Sequence, residues 1–116
     1  MAVFRAFKAL RPAREKAAAV AALPYDVVSR EEAAAIGKVN PDSFLHVDRA
    51  EMDLPADTGL YDPEVYKKAK ENLLQMEEKG ILSQDHKPCY YIYELVRKGK
   101  VQTGIAGCAS IDDYLN

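Results

Sequence analysis

Asp26, His46 and Asp48 are the residues whose types suit chemistry best. His46 and Asp48 lie two apart in Ser43-Phe44-Leu45-His46-Val47-Asp48, which follows the Asn40-Pro41-Asp42 turn and reads as a strand. Residues two apart on a strand point to one face, so an imidazole and a carboxylate would be presented together. Joined by Asp26, they would make an acid/base or metal-binding cluster. Residue types leave the metal open. The competing reading is a polar strand face with a satisfied, buried histidine, and an Asp26 that only completes a turn. His86 sits in a turn and reads as solvated.

The element that must position Asp26 is the stretch from Leu23 to Glu32. Pro24 fixes its own φ and pushes Leu23 toward extended geometry. Tyr25 to Val28 can run on extended, and Ser29 with Glu32 three residues later has the spacing of a capping box. The expected arrangement is a strand end carrying Tyr25 and Asp26, followed by a helix from Ser29 to Lys38 with Gly37 as its stop. Free N–H groups at such a helix start favour anions.

The other elements follow the same rules. Val3 to Lys8 alternates and reads as a first strand, ended by Arg11-Pro12. Ala13 to Ala22 is alanine-rich and favours helix. Arg49 to Leu60 has no period and reads as a loop, of a length that is usually functional or mobile. Asp62, Pro63 and Glu64 open the clearest helix, with Val65, Ala69, Leu73 and Met76 as its apolar stripe and Gly80 as its stop. Ile81 to Gln84 suits a short strand. Cys89 to Arg97 and Val101 to Ile111 form a hairpin. A bulged turn over Arg97-Lys98-Gly99 would align Tyr91 with Ile105, Tyr93 with Thr103 and Leu95 with Val101. A two-residue turn would instead set Cys89 opposite Cys108, and is weaker here because no Asn or Asp precedes Gly99. The C-terminal Ile111 to Asn116 has no disordered-tail composition.

Totals bound the rest. At 116 residues there is room for one domain with a real core. The expected fold is α/β, of the α+β kind: a single mixed sheet with a C-terminal antiparallel hairpin and two or three packed helices. A net charge of -2 gives no global case for nucleic acid or an anionic membrane, and no apolar run approaches a membrane span. No secretory signal is present, and two cysteines make neither a disulfide framework nor a zinc site, so a reducing cytoplasm is the simplest compartment. Phosphate-loop, dinucleotide and nucleophile-elbow motifs are absent. Tyr90, Tyr91 and Tyr93 could stack bases, but without a basic groove beside them core packing is the better reading.

Three longer segments carry a family pattern. They are Phe4 to Pro12 (FRAFKALRP), Pro24 to Ser29 (PYDVVS) and Asn40 to Arg49 (NPDSFLHVDR). Tyr61-Asp62-Pro63-Glu64-Val65-Tyr66, Glu71-Asn72-Leu73 and Gln102-Thr103-Gly104-Ile105 continue it in order. The chain resembles the N-terminal part of the domain of unknown function 1015 family. Members are longer, so the resemblance implies an N-terminal fragment; a separate reading is a structural half-domain that completes its core with the missing C-terminal segment or with a second copy in a homodimer. More distantly the family is similar to free-serine kinases with a fold like the partition-protein and sulfiredoxin-like superfamily. That kinship implies a nucleotide-dependent kinase acting on a small hydroxyl substrate, with ATP or ADP and Mg as cofactors. Asp26, Asp48 and His46 would then be the catalytic candidates, and Arg5, Arg11, Tyr25 and Arg49 the substrate or phosphate contacts. The alternative is a non-enzymatic module that binds protein or associates with nucleic acid.

Overall fold

Ser29 and Glu32 close the capping box that their spacing predicts. Ser29 Oγ accepts from the Glu32 N–H at 3.1 Å, and Glu32 Oε1 accepts from the Ser29 N–H at 3.2 Å. The helix they open is one of five short or medium helices in the computed structural model, which describes residues 3–114, apart from the Tyr114 side chain. The expectation for the C-terminal tail falls partly on Leu115 and Asn116, outside the described residues.

In chain order the elements are β1 (Phe4–Arg5), β2 (Leu10–Pro12), α1 (Ala17–Val20), α2 (Arg30–Val39), α3 (Leu45–Asp48), α4 (Pro63–Glu78), β3 (Leu82–Gln84), β4 (Tyr91–Arg97), β5 (Lys100–Ala106), β6 (Cys108–Ala109) and α5 (Ile111–Tyr114). Helices and antiparallel strands together make a mixed α/β chain. The strands form three two-stranded ladders, β1 with β6, β2 with β3 and β4 with β5, in place of the single mixed sheet expected. Two compact units are present, residues 12–83 and a unit built from residues 1–11 with 84–116.

The middle unit is helical. Val28, Ala33 and Leu45 are its buried cluster, with Ile36 and Met52 packed against them. Helix α4 fulfils its pattern: Val65 and Met76 are buried on the stripe, Pro63 stands at the first turn, and Gly80 takes the left-handed φ of 72° that a helix stop favours. Gly37 is no stop. It lies inside α2, and an added Cβ would come within 2.6 Å of Met52 Cε and 3.1 Å of His46 Cε1, so the glycine serves a close approach. The alanine-rich stretch forms only a 3-10 turn, Arg14–Lys16, and the four residues of α1. Short helices depend on packing, and Val20 is the only residue here that is buried.

Two sequence expectations fail in this unit because short apolar runs do not declare their period, and a third holds only in part. Ser43 to Asp48 is not a strand; its last four residues are α3. Tyr25 to Val27 is a 3-10 turn, and only Val28 is extended. The 49–60 segment is a loop except at its start. Ala50–Asp53 is a 3-10 turn, and the Arg30 guanidinium gathers the carbonyls of Thr58 (2.9 Å), Pro55 (3.1 Å) and Glu51 (3.3 Å).

In the other unit the expected first strand is shorter, with β1 at Phe4–Arg5 and an isolated bridge from Phe7 to Cys89. Tyr91 Oη donates to Asp85 Oδ2 (2.5 Å) and accepts from the Ala9 N–H (2.9 Å), while Arg11 Nη2 reaches Asp85 Oδ1 at 2.9 Å. The β4–β5 turn is the tight one. Lys98 and Gly99 have φ of 51° and 78°, and positive φ at both central positions makes a type I′ turn. The register is therefore Tyr91 with Ala106, Tyr93 with Gly104 and Leu95 with Gln102, one residue away from the bulged alternative. Lys98 takes the strained position that Asn or Asp usually fills. Cys89 faces Phe7 and Cys108 faces Arg5, and both thiols are free.

Candidate functional site

The Tyr25–Asp26 turn is held from both ends. Pro24 caps it, and the Val27 N–H donates to the Pro24 carbonyl at 3.1 Å. Beyond it Val28 is buried in the core and Ser29 is locked by the capping box. From across the unit Arg49 Nη1 donates to the carbonyls of Tyr25 (2.8 Å) and Val28 (2.6 Å). Its Nε donates to Glu51, a buried carboxylate. Arg49 follows directly on α3, the helix that ends in Asp48.

This clamp brings the two segments to one cleft of about 450 Å³. Tyr25 and Asp26 line it from the 3-10 turn, and Val47, Asp48 and Arg49 from the end of α3. Tyr61 and Tyr66, at the start of α4, supply two more aromatic rings. Glu51 completes the polar lining, so the cleft holds three carboxylates and one guanidinium. Although Asp48 is exposed as a residue, partial desolvation of its carboxyl raises its pKa. A carboxyl shifted by burial and lying in a cleft with a second carboxylate has the character of a functional group. Its carboxylate is therefore more basic than that of a free aspartate.

His46 belongs elsewhere. On a helix, residues two apart lie on different sides, so α3 turns His46 away from the face that carries Asp48. Its Nδ1 lies 2.7 Å from Asp53 Oδ2, and its Nε2 lies 3.2 Å from the Gly37 carbonyl and 3.3 Å from that of Asn40. Asn72 Nδ2 donates to Asp53 Oδ2 (3.0 Å) and to the His46 carbonyl (2.7 Å). Both ring nitrogens are therefore committed to packing the end of α2, the 50–53 turn and α4 around α3. Asp26, His46 and Asp48 do not form one cluster, and among the described residues no group of three metal-ligating side chains is present.

The proposed phosphate contacts also divide. Tyr25 and Arg49 line the cleft. Arg49 spends Nε and Nη1 on Glu51 and the backbone, which makes it first a positioning residue. Arg5 and Arg11 belong to the other unit, where Arg11 is paired with Asp85 and lies 5.5 Å from the centre of the Tyr91 ring. Sequence reasoning passed over Tyr61, Tyr66 and Glu51. Tyr61 and Tyr66 sit in a quoted family segment on either side of the helix start, and Glu51 lies in the 49–60 segment, which has no period. Arg30 carried no signal beyond its place after the cap.

Among the described residues no helix is long and apolar enough to cross a membrane. Comparison with curated proteins and with solved structures gives no match to this chain. The family described as "Protein of unknown function (DUF1015)" matches residues 4–116, and the chain belongs to that family.

Proposed function

We propose that the Asp26–Asp48 cleft binds a small, amine-bearing alcohol of the free-serine type and supports nucleotide-dependent phosphoryl transfer to its hydroxyl. The observation that carries this reading is the convergence of Asp26 and Asp48, from separate segments, on one cleft where desolvation raises the Asp48 carboxyl. Three carboxylates against one guanidinium favour a cationic ammonium over a bare anion, and tyrosine faces favour the same charge. Asp48 would take the hydroxyl proton as the substrate oxygen bonds to the terminal phosphorus of ATP and the bond to ADP breaks.

Two carboxylates in one cleft suit Mg²⁺, which takes one or two protein carboxylates and completes its shell with phosphate and water. Asp26 would hold it, and the ion would offset the charge of the phosphates. The kinase step is drawn from the sequence resemblance; the site for an amine-bearing alcohol is drawn from the cleft. The acid excess in the cleft argues against a nucleic-acid backbone as its ligand.

Calorimetric titration with free serine, Mg-ATP and Mg-ADP, followed by an assay for phosphoserine, tests the reading. Binding that Asp26→Asn and Asp48→Asn each abolish is expected. A folded chain that binds neither serine nor nucleotide overturns it.

A further inference from the structure

The β4–β5 hairpin carries apolar side chains that nothing in its own ladder covers. Ile92 and Ile105 pair across it, as do Val96 and Val101, and each of the four is more than half exposed. A two-stranded hairpin is marginal in water, and its free edges invite another strand.

The two edges are not equal. A type I′ turn makes Arg97 and Lys100 a hydrogen-bonded pair, and the pairs then alternate along the ladder. Val101, Thr103 and Ile105 therefore turn their backbone N–H and C=O groups outward from β5. Ile92, Glu94 and Val96 do so from β4. Neither edge carries a proline.

Pairing each edge with its own copy, antiparallel about its middle residue, separates them. On β4, Glu94 would face Glu94, a like-charge pair that opposes association. On β5, Thr103 faces Thr103, Val101 faces Ile105, Gln102 faces Gly104 and Lys100 faces Ala106. No like charges meet, and Thr–Thr and Val–Ile are favourable cross-strand pairs. The same register places Val101, Thr103 and Ile105 of both copies on one face, continuous with Ile92 and Val96.

We infer that β5 is a self-complementary edge through which two copies of this chain pair antiparallel about Thr103, making a four-stranded sheet β4-β5-β5-β4. The two-fold arrangement is isologous and closes, so it stops at a dimer. One seven-residue edge is a small interface, so the dimer is concentration-dependent.

Sedimentation equilibrium over a wide concentration range tests this, with circular dichroism as the check on folding. The average mass is expected to rise from the monomer value toward twice that value. Thr103→Pro removes only an outward donor, and Thr103→Lys sets like charges opposite each other. Both are expected to remain monomeric at concentrations where the parent and Glu94→Pro, altered on the other edge, are dimeric. A parent chain that stays monomeric throughout overturns the inference. So does a dimer that survives Thr103→Lys, or one that only the β4 variant breaks.

Discussion

Arg49 Nη1 lies 2.8 Å from the carbonyl oxygen of Tyr25 and donates to it. Through this bond the residue after Asp48 holds the residue before Asp26. The cleft is thus set by one side chain that also neutralises the buried Glu51.

Arg49→Lys should cost about 2–3 kcal/mol of stability, because an ammonium cannot reproduce the forked contacts and leaves Glu51 under-paired. Urea midpoints at neutral pH measure this. Arg49→Ala should cost at least as much, and Arg49→Ala with Glu51→Gln should recover part of the loss.

Asp48→Asn should leave stability unchanged or raise it at neutral pH while removing ligand binding. The sign follows from desolvation. With its folded pKa raised, ionised Asp48 is disfavoured in the folded state, so its penalty grows as pH rises from the unfolded value of about 3.9 through the folded one. The parent should therefore lose stability relative to Asp48→Asn across that interval, as paired urea titrations at several pH values would read.

His46→Ala should destabilise by about 1–3 kcal/mol, since it leaves Asp53 with Asn72 alone and takes the ring away from two carbonyls. The opposite responses of His46 and Asp48 separate a packing residue from a ligand-facing one. Gly37→Ala should add to this picture. Its Cβ presses on Met52 and on a His46 ring that three acceptors hold in place, so a loss of about 1 kcal/mol is expected despite better helix propensity.

Asp85 should govern the acid side of the other unit. Its pKa is lowered, chiefly by the hydrogen bond from Arg11 and then by that from Tyr91. The stability it contributes is present above the unfolded carboxylate value and is lost as pH falls through the lower folded value. Asp85→Asn should flatten that dependence. The Tyr91 phenol is raised, first by desolvation and then by Asp85, so its contribution is lost only as alkaline pH passes its folded value. Amide NMR signals of β4 against pH would show both.

The sequence made the long-period features legible and hid the short ones. Val65 to Met76 spans about three turns, and Ser29 with Glu32 has only one sensible use, so α4 and the capping box were readable. Phe44-Leu45-His46-Val47 is too short to separate a period of two from one of 3.6, and reading it as a strand put His46 beside Asp48. Asp26 and Asp48 line one cleft, but no strand joins them and His46 is not with them. What joins them is Arg49, whose reach across 24 residues to Tyr25 leaves no local pattern. The hairpin turn was misjudged because Lys98 adopts a positive φ that its side chain does not favour.

The most direct measurement is a heteronuclear NMR titration of the chain with free serine and Mg-ADP. Amide shifts are expected to move together in residues 25–28 and 47–49, with Tyr61 and Tyr66 following and Arg5 and Arg11 unmoved. Shifts confined to one of the first two segments, or none at saturating ligand, would contradict a shared Asp26–Asp48 site.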